Sequence, residues 1–130
     1  MHACAGLEKV AQRPVSRETF ALIEAYVERL KEANRTQNLV AASTMDAVWE
    51  RHILDSAQLV RFEPRAGASW IDIGAGAGLP GVVIAALTQG PVVLVEPRRL
   101  RATFLEEVVY ALGLADTIGG AALLGAIALA

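Results

Sequence analysis

The sequence has few of the residues that build disulfides, metal sites and nucleic-acid-binding faces. Its single cysteine, Cys4, cannot form an internal disulfide, which favours a cytoplasmic protein. The two histidines, His2 and His52, make a poor ligand set with so few partners, so no metal site is predicted. Twelve basic against fourteen acidic residues give a formal net charge of -2, which argues against a broad basic face and leaves a local basic patch open.

Long apolar runs and targeting signals are also scarce. The first nine residues lack the basic and apolar segments of a secretion signal, so none is predicted. The longest apolar stretch near an end, residues 118–130, is shorter than the roughly 20 residues that span a bilayer, so no membrane association is predicted. With 130 residues, 54% hydrophobic and 20% charged, the chain is expected to form at most one folded domain.

The N-terminal half shows helical periodicity and ends in a loop, so residues 1–66 are predicted to form a helical cap. Apolar residues at helical spacing predict a helix over 17–33, with Ser16 as its N-cap and Asn34 at its end. Residues 1–15 carry no clear pattern.

A second helix is predicted over residues 44–61, where Ser43 and Asp46 resemble a capping box. The apolar residues predicted for its buried face are Val48, Trp49, Ile53, Leu59 and Val60.

The C-terminal half changes pattern and predicts an α/β unit over residues 67–116. The predicted elements are a buried strand at 69–73, a glycine-rich turn at 74–81, a buried helix at 81–87, a strand at 92–96 and a helix at 98–112 with Leu100, Phe104, Leu105, Val108 and Leu112 as its apolar stripe. This order predicts a parallel sheet, because parallel strands need a crossover helix between them. Residues 117–130 form an apolar, low-complexity tail without a charged residue.

The glycine-rich turn is the strongest functional signal. Gly74, Gly76 and Gly78 follow a strand and precede a helix, where residues without a Cβ let the backbone approach a ligand. The segment fits both the dinucleotide pattern G-x-G-x-x-G and the methyltransferase pattern D-x-G-x-G-x-G. Asp72 at the strand end favours the second pattern, because dinucleotide folds usually keep that position apolar. A nicotinamide enzyme and a ligand-free turn remain alternatives.

Glu96 ends the second predicted strand, 20 residues after Gly76. An acid at this place can accept hydrogen bonds from both hydroxyls of a ribose. The alternative is an acid that is only solvated at a strand end.

Two further polar clusters have both a structural and a functional interpretation. In the segment RHILDS, residues 51–56, His52 and Ser56 share a helix face, and Asp55 is placed to orient the imidazole. These residues either link the cap to the sheet or face a nucleic-acid substrate. Residues 98–101 contain three arginines, which either contact phosphate or form a solvated helix face.

These segments together resemble the RsmG family, also called GidB. The resemblance rests on Asn38-Leu39, RHILDS, DIGAGAGLPG at 72–81, and VEP at 95–97 followed by Phe104-Leu105, and it covers residues 16–116. It implies a Rossmann-like S-adenosylmethionine (SAM)-dependent methyltransferase fold and a cytoplasmic enzyme. The implied reaction is transfer of a methyl group from SAM to N7 of a guanine in 16S ribosomal RNA. The implied partner is therefore 16S rRNA or the small ribosomal subunit.

The resemblance also implies site residues. Those implied for the cofactor are Asp72, Gly74, Ala75, Gly76, Gly78, Leu79 and Glu96. Those implied for the substrate side are Asn38, Arg51, His52, Asp55 and Arg101. No general base is expected, because guanine N7 carries no proton, and positioning would supply most of the rate.

The family's sheet continues for several more strands, so the resemblance implies a C-terminally truncated chain. An exposed sheet edge and the apolar tail then predict self-association. A non-catalytic fragment, or a module that only binds SAM, is the alternative to an active enzyme.

Overall fold

The computed structural model describes residues 2–118. The apolar tail therefore lies outside the described residues from position 119 onward. The elements are α1 (His2–Ala11), α2 (Arg17–Ala33), α3 (Ala42–Met45), a π-helical turn (Trp49–Ile53), α4 (Leu54–Gln58), a 3-10 turn (Leu59–Phe62), β1 (Trp70–Ile73), α5 (Gly81–Leu87), β2 (Val92–Val95), α6 (Arg99–Ala111) and α7 (Ala115–Ile118).

The strand–helix–strand–helix order is confirmed. β1 and β2 pair in parallel, with Trp70 opposite Val92 and Ile73 opposite Val95, and α5 makes the crossover between them. α5 is buried along almost its whole length, as its uniformly apolar sequence predicts. α2 and α4 pack on α5, and α2 also packs on α6, so the N-terminal helices reach the sheet through α5. The predicted division near residue 66 is not tested by this packing and stays a prediction.

Helix α2 has the predicted bounds. The Ser16 side chain accepts a hydrogen bond from the Thr19 N–H, and Asn34 is the C-cap. The buried residues on this helix are Ile23, Tyr26, Val27 and Leu30.

Helix α1 was not predicted. Leu7 and Ala11 are fully or almost fully buried, but only a few apolar residues at helical spacing mark this helix in the sequence. Arg13 then holds the following turn against the rest of the chain, donating to the backbone oxygens of Val60 at 2.9 Å and Leu87 at 3.1 Å.

The prediction of a second helix over residues 44–61 was wrong, because the helix is not continuous and does not begin with the predicted cap. The chain forms short α-helical, π-helical and 3-10 pieces there, and α3 begins after Ala41 without a side-chain cap. Ser43 lies inside α3, so the predicted capping box with Asp46 does not form. Leu59, predicted to be buried, is 39% exposed, because the chain has tightened into the 3-10 turn at that point.

Strand β1 is half-buried on one face and exposed on the other, which contradicts the prediction of a fully buried strand. Side chains alternate across a strand, and Asp72 points towards the start of α5. Ile71 and Ile73 point to the other face and are 61% and 74% exposed. β2 is the only described strand beside β1, so one edge and this face of β1 are open within residues 2–118.

Helix α6 confirms the predicted stripe only in part. Phe104, Leu105 and Val108 are buried, but Leu100, in the first turn of the helix, is 68% exposed. Gly113 follows the helix with φ +69°, as a C-terminal glycine does.

Candidate functional site

The glycine loop crosses the end of the two-stranded sheet. The N–H groups of Gly74 and Ala75 both donate to the Val95 carbonyl oxygen, at 2.7 and 2.9 Å. Gly74, Gly76 and Gly78 all have positive φ, of +79°, +51° and +91°. These angles are the left-handed region that residues with a Cβ rarely adopt, so the path of the loop depends on glycine.

The glycines of the loop have different surroundings. A Cβ at Gly74 would meet nothing within 4 Å, so its backbone faces open space. A Cβ at Gly78 would lie 2.7 Å from Val82 Cγ2 and 3.1 Å from Tyr26 Oη. Gly74 is therefore free to approach a ligand, whereas Gly78 is required by packing inside the protein.

Glu96 is buried and held by the backbone on both sides. Its side chain accepts hydrogen bonds from the Gly76 N–H at 2.7 Å through Oε1 and from the Arg98 N–H at 2.9 Å through Oε2. Only 4% of the residue is exposed, which excludes the alternative of a merely solvated acid. A carboxylate has about four acceptor positions, so each oxygen keeps capacity for a further donor such as a ribose hydroxyl.

Asp72 lies beneath the loop, at the start of α5. Its Oδ2 accepts the Gly81 N–H at 3.0 Å, so the carboxylate caps a helix end whose N–H groups have no partner within the helix. Burial raises the pKa of Asp72, the hydrogen bond from Gly81 opposes that rise, and the nearby Glu96 carboxylate adds to it. The hydrogen bond to Gly81 uses Oδ2 and leaves Oδ1 for another donor.

Tyr26 supports the loop from α2 and is not among the site residues predicted from the sequence. Its buried hydroxyl donates to the Ala77 carbonyl oxygen at 2.5 Å. Burial, and then the negative charge of Asp72, raise the pKa of the Tyr26 hydroxyl, so it stays a protonated donor. One available signal was a tyrosine on the apolar face of a helix, because a buried hydroxyl needs a partner.

Three of the predicted substrate-side residues share one groove with the glycine loop. Arg51, His52 and Asp55 line an open groove of about 250 Å³ together with Leu79 and Pro80 of the loop. His52 Nε2 lies 2.9 Å from Thr44 Oγ1, which is a hydrogen-bonding distance, so the described partner of the imidazole is Thr44 and not Asp55.

The other two predicted substrate-side residues meet elsewhere. Arg101 Nη2 donates to the backbone oxygen of Asn38 at 3.1 Å. Both residues line a second open groove of about 390 Å³ with Gln37 and the other residues of 98–101. The two grooves share no lining residue, so the structure divides the predicted substrate side into two separate groups.

Two further observations concern metals and membranes. Among residues 2–118, no three His, Cys, Asp or Glu side chains come together as a metal site would need. None of the described helices is long and apolar enough to cross a membrane.

The sequence model of the GidB family, described as rRNA small subunit methyltransferase G, matches residues 19–119. A protein named ribosomal RNA small subunit methyltransferase G from Sphingopyxis alaskensis is 52% identical over 100 residues, which are 76% of this chain and 43% of that protein. Its namesake from Zymomonas mobilis is 45% identical over 114 residues, 82% of this chain and 52% of that protein. The protein of the same name from Erythrobacter litoralis is 48% identical over 93 residues, which are 71% of this chain and 45% of that protein.

The chain thus spans about half the length of the curated relatives that it matches. The match begins within α2 and covers the strand–helix unit, and it confirms the resemblance and the Rossmann-like methyltransferase fold that the sequence predicted. The alternative of a nicotinamide enzyme gains no support from these relatives. The chain belongs to the GidB family, the rRNA small subunit methyltransferase G family.

Proposed function

We propose that this chain is the SAM-binding half of a cytoplasmic methyltransferase that modifies N7 of a guanine in 16S rRNA. The observation that carries the proposal is the pairing of the glycine loop with Glu96. A buried carboxylate bonds to the N–H of Gly76 in the turn, while the neighbouring Gly74 faces open space. A glycine turn over a strand end, with a fixed acid on the next strand, suits a ligand that carries a ribose.

The residues of the loop fit the cofactor in distinct ways. The backbone at Gly74, Ala75 and Gly76 would lie against the methionine and ribose portions of SAM, because the two glycines carry no side chain and the Ala75 methyl is buried in the core. Glu96 would accept the ribose hydroxyls. Asp72 would accept the amino group of SAM through the oxygen that Gly81 does not use.

Gly78 and Leu79 complete the proposed cofactor side in different ways. Gly78 supports the cofactor indirectly, since its φ of +91° and its tight packing hold the turn in place. Leu79 belongs to the glycine loop and also lines the groove formed by Arg51, His52 and Asp55. It would therefore contact the cofactor where the loop borders that groove.

SAM, when bound, supplies an activated methyl group on a sulfonium. The chain's own residues then have to bring guanine N7 into line with that group and to exclude water. A proton acceptor is not required, because N7 is unprotonated, so positioning would supply most of the rate.

The substrate side would consist of the two grooves. Arg51, His52 and Asp55 border the loop at Leu79 and Pro80, which places them beside the proposed cofactor. Asn38 and Arg101 lie in the groove next to Glu96. The 16S rRNA, free or within the small subunit, would contact both.

A second candidate function is a SAM-binding module without catalysis. It is favoured by the open edge and the exposed Ile71 and Ile73 of β1, since a two-stranded sheet is marginal by itself. The same open edge and the apolar sequence of the tail at 117–130 are the grounds on which self-association is proposed. Sedimentation velocity of the full chain over a concentration series tests it, and a constant monomer value would refute it.

The experiment for the proposed function is transfer of tritiated methyl from SAM to 16S rRNA by the full chain. We expect Glu96→Gln to lower methyl transfer at least about tenfold. Glutamine has only one oxygen, so the N–H of either Gly76 or Arg98 would then face the amide N–H₂ group. Glu106→Gln, on the exposed face of α6, is the control and keeps the parent rate. SAM binding by the parent without any methyl transfer would favour the second candidate. Absence of both SAM binding and methyl transfer would refute both candidates.

A further inference from the structure

The first turn of α6 carries an unusual concentration of positive charge. Arg98 is the N-cap, Arg99 and Arg101 follow within the first turn, and that turn contains no acidic residue. The N-terminus of a helix is its positive end, so cations there are unfavourable for the helix itself. Residues that break such a local rule often serve function.

The described part of the chain does not neutralise these charges. Its ion pairs are Arg13 with Glu63, Lys31 with Glu28 and Arg35 with Glu32. None of them involves the arginines of residues 98–101, which we call the arginine cluster. The guanidinium groups of Arg98 and Arg99 are exposed, so they are accessible to an anion from outside.

The arginine cluster lines a groove with fixed walls. Arg101 holds the backbone of Asn38 against α6 at 3.1 Å. The loop itself is fixed, because Asn34 Oδ1 accepts the N–H groups of Leu39 at 2.8 Å and Val40 at 3.0 Å. Gln37 and Asn38, the two residues with side-chain amides in this groove, line it together with the arginines.

The groove lies next to the proposed cofactor site. The Arg98 N–H donates to Glu96 Oε2, and Glu96 also binds the glycine loop through Gly76. We therefore expect the backbone of a nucleic acid that brings a base to the cofactor to lie close to this groove.

We propose that the arginine cluster, with Gln37 and Asn38, binds the phosphodiester backbone of single-stranded RNA beside the target base. A guanidinium group can donate two parallel hydrogen bonds to two oxygens of one phosphate. The exposed Leu100 between the arginines offers an apolar contact to a ribose or a base. A base that is to be modified has to be unstacked, which favours a single-stranded segment. This inference rests on the proposed function only in choosing RNA as the polyanion.

The test uses the full chain and a fluorescein-labelled single-stranded RNA of about 20 nucleotides, which exceeds the roughly 4–16 nucleotides that one OB-fold domain binds. Fluorescence anisotropy is measured over a salt series without SAM. We compare the parent with a triple variant, Arg98→Gln, Arg99→Gln and Arg101→Gln. The control triple variant is Arg17→Gln, Arg61→Gln and Arg65→Gln, since these exposed arginines lie outside the groove. Both variants change the formal net charge from -2 to -5.

We expect the cluster variant to bind about tenfold more weakly at low salt and to lower the salt slope by about 2, because each lost phosphate contact removes about 0.7. The control variant should keep the parent slope. Equal losses in both triple variants, an unchanged slope in the cluster variant, or no RNA binding by the parent would overturn the inference. Should the cluster variant unfold, Arg99→Gln alone must lower the slope by about 0.7.

SAM binding, measured separately by calorimetry, distinguishes this inference from the proposed function. RNA binding through the cluster without SAM binding would refute the proposed function and leave the inference standing. SAM binding with an unchanged slope would refute the inference alone. A cluster variant that loses SAM binding as well as RNA binding would assign these arginines to the cofactor pocket and overturn it.

Discussion

The Tyr26 hydroxyl donates a hydrogen bond to the Ala77 carbonyl oxygen, which joins positions 51 residues apart in the sequence. The contact connects α2 directly to the glycine loop, so the N-terminal helices do more than cover α5. Through Tyr26, α2 supports the loop next to Gly76, whose N–H donates to Glu96. Helix α2 is thereby part of the construction of the proposed cofactor site.

Removing this hydroxyl should loosen the loop. We expect Tyr26→Phe to lower the free energy of unfolding by about 1–3 kcal/mol, because the buried Ala77 carbonyl would lose its donor. SAM affinity should fall as well, since the loop is less fixed. Urea denaturation and calorimetry measure the two effects. Tyr110→Phe, at an 86% exposed position, is the control and should change neither quantity.

The carboxyl group of Asp72 should make stability depend on pH. Its pKa is raised in the folded protein, so the folded state holds this proton more tightly than the unfolded state does. The resulting stabilisation is complete below the ordinary aspartate pKa of about 3.9 and is lost as the pH rises through the folded pKa.

Asp72→Asn should abolish this loss of stability with rising pH. We expect the variant to be more stable than the parent at pH 7, with a smaller difference at pH 4, while SAM affinity falls about tenfold through the lost charge-assisted bond. Urea denaturation at both pH values measures the first effect and calorimetry the second. Asp46→Asn, at an exposed position, is the control. The prediction would be contradicted if the parent became more stable from pH 4 to pH 7 and Asp72→Asn removed that increase. Folding would then lower the pKa of Asp72 instead of raising it.

Gly78 should tolerate a side chain far less than a glycine of similar φ in open space. We expect Gly78→Ala to cost about 2–4 kcal/mol, because its Cβ would lie 2.7 Å from Val82 Cγ2 in addition to the strain at φ +91°. Gly67, with φ +82° and nothing within 4 Å, isolates the backbone strain, and Gly67→Ala should cost about 1–2 kcal/mol. Equal costs in thermal unfolding would mean that packing at Gly78 yields without penalty.

Local signals in the sequence predicted much of the fold. The Ser16 cap, the glycine turn and Gly113 each mark a boundary by chemistry that acts within a few residues, and the structure places those boundaries as predicted. The same signals failed at Ser43, where the pattern of a capping box was present but the chain began α3 after Ala41. A cap pattern states what a residue can do, and tertiary packing decides whether it does so.

The remaining features depend on contacts between distant parts of the chain. The apolar sequence of β1 predicts burial, but the exposure of Ile71 and Ile73 depends on which other elements cover the sheet. The role of Tyr26 depends on the Ala77 carbonyl, which the sequence does not place beside it. The candidate site residues were chosen by a motif, and their grouping into two grooves required the three-dimensional arrangement.

The most direct test of the account is a calorimetric titration of the full, folded chain with SAM, comparing Gly74→Ala with Gly113→Ala. Both glycines have positive φ, of +79° and +69°, and a Cβ at either would meet nothing within 4 Å, so both variants should lose about 1–2 kcal/mol of stability. We predict that the parent and Gly113→Ala bind SAM alike and that Gly74→Ala binds at least about tenfold more weakly, because its Cβ would enter the space of the cofactor. Absence of SAM binding by the folded parent, or equal binding by the two variants, would contradict the claim that the glycine loop and Glu96 form the cofactor site.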